Sequence, residues 1–509
     1  MSNRILEVKN IKLYFPLKKN LLGKPTQFLR AVDDISFDLD TGETIGIVGE
    51  SGCGKTTLGR TILRLYNPTG GKAIYYGRDV EEFSPKYYIK AIKRLSLYKL
   101  LIEKRLEKSE ETTKHDFVDD LINKSAEITG ALILSSNVKE IKQILLKRLK
   151  LHKQIAKLKT KIIDLSYKKN KEEKLTILKD KLAILEKEYH EVLDKISSIK
   201  EDIKKNHKDR FEELEQKMDR GINLGKLTPR EMRKLRVDIQ LVFQDPYSSL
   251  PPRMTVGSII SEAVKVHHIV PKAEVYDYVI HIMKQCGLQE QFYDRYPHEF
   301  SGGQRQRICI ARALAVKPKL IICDEPVSAL DVSIQAQIIN LLKSLQNNLG
   351  LTYIFISHDL SVVKYITKKI LVMYLGNLME YADTQELFTN PLHPYTKALF
   401  SAVPNPDPDA KMNRIILKGD IPSPANPPKG CKFNTRCPEA MGVCKFLPPK
   451  VLEVGKHHYV CCHLCDKEVL AKRTQLEADY EKEQLALALA AKTKEEHSKN
   501  PFKKKVVKE

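Results

Sequence analysis

The spacing of hydrophobic positions changes along this chain, and each spacing predicts a different kind of element. Apolar residues in 5–8, 11–15 and 31–39 have the pattern of strands, and those in 31–39 alternate at period two. Residues 246–310 have helical periodicity, whereas residues 311–390 return to strands that alternate with helices. The chain is therefore predicted to contain an α/β core that is preceded by an antiparallel β region.

A different pattern fills residues 86–226, where apolar positions repeat at alternating spacings of three and four. The first series is Leu151, Ile155, Leu158, Ile162 and Leu165, and the second is Leu175, Leu178, Leu182, Leu185, Tyr189, Val192, Ile196, Ile199 and Ile203. Only the short polar stretch 168–171 separates the two series, which predicts an antiparallel helical coiled-coil hairpin. A helix from about residue 173 to about residue 218 would be roughly 70 Å long.

One glycine-rich loop predicts binding of ATP or GTP. It matches the pattern G-x-x-x-x-G-K-[ST] with Gly49, Glu50, Ser51, Gly52, Cys53, Gly54, Lys55 and Thr56, and Thr57 follows. A strand-like segment, 43–48, precedes the loop, and a helical segment, 57–63, follows it. Such a loop wraps nucleotide phosphates with its N–H groups and lysine, while the helix points its positive end at the anion.

Five further segments, in the expected order, resemble motifs of ABC-transporter ATPases. The Q-loop contains Gln244, and the signature contains Ser301, Gly302, Gly303 and Gln304. The Walker B pair is Asp324 and Glu325, the D-loop contains Asp331 and the H-loop contains His358. The resemblance spans most of residues 4–85 and 227–465. It implies an α/β P-loop ATPase core with an antiparallel β-subdomain and a helical subdomain.

Shorter segments are similar to the ATPases of oligopeptide and dipeptide importers. They are residues 244–250, 296–301 and 393–396, together with a cysteine-rich region after residue 430. The resemblance favours the F-type subunit of the paired ATPases, although the D-type partner carries a similar tail. The predicted domains are 1–85 and 227–403 for the ATPase, 86–226 for the inserted hairpin, 404–465 for the Pro/Cys-rich segment and 466–509 for a charged helix and basic tail.

The resemblance also implies a role for each motif residue. Lys55 would bridge the β- and γ-phosphates of ATP, Glu325 would orient or deprotonate the attacking water, and His358 would contact the γ-phosphate. The implied ligands of Mg²⁺ are Thr56, Gln244 and Asp324. The aromatic ring that stacks on adenine would belong to Phe15 or to Tyr14.

The implied partners follow from the signature. In the family, Ser301 and Gly303 contact nucleotide that is held by the opposing subunit. A chain with one glycine-rich phosphate loop (Walker A) and one signature must therefore form a dimer to complete its sites. The resemblance implies a heterodimer with a sister ATPase beneath two permease subunits, which receive peptide from a peptide-binding lipoprotein. The chain is expected at the cytoplasmic face of the membrane as a peripheral subunit.

Composition raises one competing class, a soluble ABC ATPase that acts on nucleic acid or ribosomes. The 509-residue chain has a net charge of +22, but it has no Trp and only 7% aromatic residues for base stacking. Residues 86–226 hold 35 Lys and Arg against 24 Asp and Glu, with the two signs interspersed, which is typical of solvated helices. ABC ATPases of the chromosome type carry much longer coils after the Q-loop, whereas this insertion precedes Gln244. Members that act in translation carry two ATPase units in one chain, whereas this chain has one, so we expect no nucleic-acid partner.

The cysteine-rich segment presents Cys431, Cys437, Cys444 and Cys462. Four thiolates suit an iron–sulfur cluster or Zn²⁺, and free thiols remain a third possibility. The subfamily resemblance implies a [4Fe–4S] centre. Cys461 occupies a position where the family commonly has a small residue, so the identity of the fourth ligand is ambiguous. Because the segment lies beyond all the nucleotide motifs, its loss is expected to affect assembly or stability rather than ATP binding.

Overall fold

A computed structural model describes residues 3–20, 25–107, 121–123, 125–166, 172–403 and 414–499. The strands are Arg4–Lys19 (β1), Pro25–Asp40 (β2), Thr44–Val48 (β3), Gly70–Tyr75 (β4), Ile222–Asn223 (β5), Ile239–Val242 (β6), Leu320–Asp324 (β7), Thr352–Ile356 (β8), Lys369–Tyr374 (β9), Asn377–Asp383 (β10), Leu452–Gly455 (β11) and His458–Val460 (β12).

Helices surround these strands. They are Lys55–Ile62 (α1), Val80–Phe83 (α2), Lys86–Glu107 (α3), Val138–Ser166 (α4), Glu172–Asn206 (α5), Lys208–Gln216 (α6), Pro229–Leu235 (α7), Pro246–Ser249 (α8), Val256–His267 (α9), Val275–Gln285 (α10), Gly302–Leu314 (α11), Val332–Leu349 (α12), Leu360–Ile366 (α13), Thr384–Thr389 (α14), Pro394–Ser401 (α15), Lys467–Ala471 (α16) and Arg473–Lys499 (α17).

Two sheets organise the ATPase region. The smaller is antiparallel, in the order β2-β1-β4-β5, and the larger has the order β11-β12-β10-β9-β3-β8-β7-β6. In the larger sheet β9, β3, β8, β7 and β6 are parallel neighbours, and β3, β7 and β8 are buried along their whole length. Strands covered on both faces read as continuous apolar runs. The predicted α/β core with an antiparallel β region is confirmed.

The Pro/Cys-rich segment ends in two strands of the larger sheet. After residues 414–451, which contain only turns and a short 3₁₀ segment, β11 and β12 form a hairpin, and β12 pairs antiparallel with β10 through Glu380 and Val460. His458 Nε2 lies 2.7 Å from Glu380 Oε1, and both side chains are almost fully buried. This part of the chain is therefore built into the ATPase sheet rather than appended to it.

Within the insertion, α4 and α5 lie side by side and antiparallel. Lys159 contacts Glu186 at 2.9 Å near one end, and Lys195 contacts Glu140 at 2.6 Å near the other. The predicted seam residues are half-buried or buried on this pair, although the polar stretch 168–171 lies outside the described residues. The coiled coil itself stays a prediction. The helix expected to run to about residue 218 ends instead at Asn206, and α6 begins at Lys208.

The insertion also merges with the ATPase core. Strand β5 lies within residues 86–226 and pairs with β4. The Arg64 guanidinium after α1 donates to the carbonyl oxygens of Leu224, Gly225 and Leu227 at 2.6, 2.9 and 3.1 Å. Apolar side chains of α3, including Tyr88, belong to the same buried cluster as β1 and β2. The last residues of the assigned insertion therefore help to complete the smaller sheet.

Shortening only the outer part of the hairpin should be tolerated. We expect replacement of residues 156–188 by a short Gly/Asn turn to change the free energy of unfolding by less than about 1 kcal/mol, because the described residues of this range, 156–166 and 172–188, pack mainly on one another. ATP affinity should be unchanged. Chemical denaturation and equilibrium ATP binding would test both expectations.

Removal of all of residues 86–226 is the contrasting variant. It deletes β5 and the apolar face of α3, whose buried side chains contribute about 1.5–3 kcal/mol each, so it should destabilise the fold by several kcal/mol. If the complete deletion were as stable as the shortened hairpin, the merged core described above would be contradicted.

Candidate functional site

The phosphate-binding loop connects β3 to α1 through backbone angles that favour glycine. Gly49, Gly52 and Gly54 have φ values of +148°, +77° and +101°. A Cβ atom on Gly49 would lie 2.2 Å from the Met373 carbonyl oxygen, and one on Gly54 would lie 2.2 Å from that of Ala31. Glycine is therefore required at both positions by close approach as well as by φ.

Lys55 is held against this loop. Its side chain is buried, and the ammonium group donates to the carbonyl oxygens of Gly49 at 2.8 Å and Glu50 at 3.1 Å. The thiol of Cys53 lies behind the loop, 3.9 Å from the Lys55 nitrogen, and its burial raises its pKa. Cys53 therefore packs under the loop as a neutral side chain.

Thr56 and Asp324 meet at the start of α1 and the end of β7. The Thr56 hydroxyl donates to Asp324 Oδ1 at 2.6 Å. Burial raises the pKa of Asp324, and this hydrogen bond together with the Arg60 guanidinium, 3.7 Å from Oδ2, acts in the opposite direction. Oδ2 is buried and has no hydrogen-bond partner. A hydroxyl and a carboxylate with a free, buried oxygen are suitable ligands for Mg²⁺.

Glu325 lies where three motifs converge. Its Oε2 accepts a hydrogen bond from Gln244 Nε2 at 2.9 Å and lies 3.3 Å from His358 Nδ1. Its backbone has φ of +48°, an uncommon value for a residue with a side chain, and its N–H donates to the Ile356 carbonyl at 2.9 Å. The parallel neighbour β8 therefore holds the turn that aims this carboxylate.

Most of these groups line one cavity of about 660 Å³, whereas Gly49, Cys53 and Asp324 are not part of its wall. Its wall contains the sequence-predicted residues Phe15, Ser51, Gly52, Gly54, Lys55, Thr56, Thr57, Gln244, Glu325 and His358. Phe15 packs edge-on against Tyr66 with ring centroids 5.6 Å apart, whereas the Tyr14 hydroxyl bonds to Asp33. Of the two aromatic candidates, Phe15 is therefore the one that faces the cavity.

The signature residues lie on a different surface. Ser301 and Gln304 cap α11 reciprocally, the Ser301 N–H donating to Gln304 Oε1 at 3.1 Å. Gly303 packs closely on α12, since a Cβ atom there would lie 2.4 Å from Ile334 Cγ2. Gly302 lies beside it, and the exposed Asp331 precedes α12. Neither the signature residues nor Asp331 belong to the cavity wall.

Sequence reasoning missed several residues around the loop. The wall also includes Leu29, Arg30, Ala31, Leu375, Gly376 and Pro424. Arg436 makes a bidentate ion pair with Glu50, at 2.7 and 3.1 Å. The Cys-rich segment is therefore not remote from the nucleotide site, whereas the expectation that its loss would affect assembly or stability rather than ATP binding stays a prediction. No local pattern points from residue 436 to residue 50.

Tyr395 reaches the same loop from α15. Its hydroxyl accepts the Glu50 N–H at 2.9 Å. Burial lowers the pKa of His393 to about 3, so its neutral ring accepts the Tyr395 N–H on Nδ1 at 3.0 Å and caps α15. Both residues belong to the segment 393–396 that carried part of the subfamily resemblance.

The cysteines of the C-terminal segment share one region. Cys431, Cys444 and Cys462 are buried and Cys437 is half-buried. Burial raises the pKa of Cys431 to about 11, with smaller contributions in the same direction from Cys444 and Cys437. Burial likewise raises the pKa of Cys462, with smaller contributions in the same direction from Cys465, Cys431 and Cys437. Among the described residues, no group of three or more His, Cys, Asp or Glu side chains is arranged to hold a metal ion.

Comparisons with known proteins match this architecture. A family model described as ABC transporter matches residues 32–177 and 214–328, and one described as oligopeptide/dipeptide transporter, C-terminal region, matches residues 379–444. The oligopeptide transport ATP-binding protein AppF of Bacillus subtilis is 38% identical over 462 residues, which cover 90% of this chain and 97% of AppF. The oligopeptide transport ATP-binding protein OppF of Salmonella typhimurium is 37% identical over 463 residues, which cover 90% and 95%.

The close approach at Gly54 generates a prediction. Gly54→Ala should weaken ATP binding at least about tenfold, because the new methyl group meets the Ala31 carbonyl and the loop must move. Gly42→Ala is the matched control, since Gly42 has φ of +78° but no atom within 4 Å of its Cβ position. Equal ATP affinity in both variants would show that steric contact at Gly54 does not shape the loop.

Proposed function

Because the chain belongs to the family of oligopeptide transport ATP-binding subunits of ABC transporters, we propose that it hydrolyses ATP to power the import of oligopeptides or dipeptides. The observation that carries this function is the single cavity that unites the phosphate-binding loop with Gln244, Glu325 and His358. The match of residues 379–444 to the oligopeptide/dipeptide transporter C-terminal region supports the substrate class.

We assign the following roles in hydrolysis. Lys55 neutralises the β- and γ-phosphates, and the loop amides hold them at the N-terminus of α1. Thr56, Gln244 and Asp324 would hold Mg²⁺, which supplies positive charge to the phosphate oxygens. The contact of Thr56 with Asp324, and a buried Asp324 oxygen that has no hydrogen-bond partner, support this ligand set.

Glu325 is the residue that orients or deprotonates the attacking water. Its contacts with Gln244 and His358 hold the carboxylate in the cavity wall, and His358, which lies in the same wall, would contact the γ-phosphate. Gln244, which bonds to Glu325, would be one of the residues that hold Mg²⁺, and the Glu325 carboxylate would bind and orient the attacking water. Phe15 would provide the adenine stacking surface.

The active unit is a dimer. Ser301, Gly303 and Asp331 lie outside the cavity of their own chain, which supports a role for them at the nucleotide of an opposing subunit. We propose a heterodimer with a sister ATPase, this chain being the F-type subunit, as the relatives AppF and OppF suggest. Two permease subunits would receive the closing motion of the dimer, and a peptide-binding lipoprotein would deliver the substrate.

Attachment to the membrane would depend on these permeases. No helix in the described part of the chain is long and apolar enough to cross a bilayer. From its membership of the oligopeptide transport ATP-binding family, we propose a peripheral position at the cytoplasmic face. The competing role on nucleic acid or ribosomes gains no support from AppF or OppF, which are both oligopeptide transport ATP-binding proteins.

We further propose that Cys431, Cys437, Cys444 and Cys462 hold a [4Fe–4S] cluster, with a single Zn²⁺ as the alternative. The donor chemistry fits both, and the Cys431 N–H donates to the Cys444 carbonyl at 2.9 Å, which brings two of the four residues together. The side chains as they stand do not form a closed ligand set, so the proposal requires them to turn toward a common centre on metal binding.

Glu325→Gln tests the hydrolytic role. The variant should retain ATP binding but lose turnover by a factor on the order of one hundred or more, since water activation is lost while the metal site survives. ATPase activity should be measured in the assembled transporter with the catalytic glutamate of the sister subunit already replaced.

The matched control is Glu201→Gln, a neutralisation on the exposed face of α5. It should hydrolyse ATP at the wild-type rate. Full activity of Glu325→Gln in the same assay would remove Glu325 from the mechanism, whatever its position in the cavity.

Metal analysis tests the cysteine proposal. Anaerobically purified protein should be brown and contain about four irons per chain, because thiolate-bound iron absorbs visible light and d¹⁰ zinc does not. Cys437→Ser should lose the colour and the iron, whereas Cys465→Ser, which alters a neighbouring thiol outside the assigned set, should keep both. Colourless protein with one equivalent of zinc would overturn the cluster and establish a zinc site.

A further inference from the structure

The Cys-rich segment contacts the phosphate-binding loop through one ion pair. Arg436 Nη1 lies 2.7 Å from Glu50 Oε2, and Nη2 lies 3.1 Å from Oε1, so the two planar groups face each other in the bidentate arrangement. The Arg436 side chain is only 9% exposed and that of Glu50 only 24%. Charges with this little solvent contact depend on their partner, because removing one leaves the other buried and unpaired.

On the loop side, Glu50 is held at every polar group. Its N–H donates to the Tyr395 hydroxyl at 2.9 Å, and its carbonyl oxygen accepts from the Lys55 ammonium at 3.1 Å and from the Cys53 N–H at 3.2 Å. Its side chain is not part of the cavity wall. Glu50 therefore does not need to touch nucleotide to influence it, because it sets the path of the backbone that does.

On the other side, Arg436 is rigidly placed. Its N–H donates to the Phe433 carbonyl at 3.0 Å, and the fully buried Phe433 ring packs on Tyr374 and Tyr395 with centroid distances of 5.3 and 5.2 Å. The guanidinium also lies 3.4 Å from the Tyr374 hydroxyl. The Cys-rich segment therefore packs on Tyr374 and Tyr395, and Tyr395 of α15 also bonds to the phosphate-binding loop.

We propose that Arg436 is a positioning residue for the phosphate-binding loop, through which the Cys-rich segment sets the affinity of the site for nucleotide. The inference rests on the proposed function only for the choice of ATP as ligand. Arg436 contributes by holding the Glu50 backbone where the loop amides converge on phosphate. The segment between Cys431 and Cys444 is then a determinant of ATP affinity as well as of stability.

A double-mutant cycle tests this role in the full-length chain. Arg436→Met and Glu50→Gln should each raise the Kd for ATP about tenfold, and the double variant should be no weaker than either single variant, because the same ion pair is lost in all three. Lys432→Met is the matched control: Lys432 lies in the same segment, but its ammonium donates to the Pro428 carbonyl. Its Kd should equal that of the wild type.

Further readouts separate positioning from general destabilisation. Arg436→Lys, which keeps the charge but loses the bidentate geometry, should give an intermediate Kd. Arg436→Met should raise the KM for ATP about tenfold with less than a twofold change in kcat, because Glu325 and its partners are untouched. In the nucleotide-free Arg436→Met variant, amide exchange at Glu50 and Cys53 should be faster than in the Lys432→Met control.

Two results would overturn the proposal. One is multiplicative losses in the double variant, which would mean that Arg436 and Glu50 act independently. The other is an Arg436→Met variant with the affinity and loop exchange of the Lys432→Met control. ATP binding by the wild-type protein and its loss in Lys55→Ala are measured first, since a wild-type protein that does not bind ATP would contradict the proposed function. The amide exchange comparison tests the ion pair without any nucleotide.

Discussion

The parallel register of β3, β7 and β8 determines where chemistry can occur in this protein. Ile47 of β3 pairs with Ile356 of β8, and Ile356 pairs in turn with Asp324 of β7. Since carboxyl ends of parallel strands meet at one edge of a sheet, the loop after β3, Glu325 after β7 and His358 after β8 must converge there. A slip of one residue in β7 would turn Asp324 to the opposite face and separate it from Thr56.

The phosphate-binding loop is shaped by contacts from distant parts of the chain. Gly49 lies against the backbone at Met373 of β9, and Gly54 lies against the backbone at Ala31 of β2, each too closely for a side chain. Arg436 holds the loop from a third direction. The loop motif is local in sequence, but its conformation depends on both sheets and on the C-terminal segment, so all of these must fold before the site exists.

The difference between local motifs and long-range contacts explains what could be predicted from the sequence. The motif residues that line the cavity were identifiable because each motif lies at a strand end, where the local pattern of apolar and glycine residues is distinctive. Arg436 and Pro424 were not, because their role comes from a contact across almost the whole chain. The end of the helix at Asn206 and the pairing of Ile222 with Tyr75 were also missed. Heptad spacing does not show where a helix breaks, and a two-residue strand has no periodicity.

One buried carboxylate connects the C-terminal hairpin to this loop. Glu380 of β10 is fully buried and accepts hydrogen bonds from the N–H groups of Leu392 and His393, at 2.8 and 3.0 Å, while His458 of β12 lies 2.7 Å away. His393 in turn caps the helix that presents Tyr395 to the loop. A buried carboxylate needs such partners. Loss of the hairpin would remove His458 from Glu380, leave the carboxylate incompletely hydrogen-bonded and loosen the start of α15. The C-terminal region and the nucleotide site are therefore parts of one folding unit, and the region cannot be treated as a separable module.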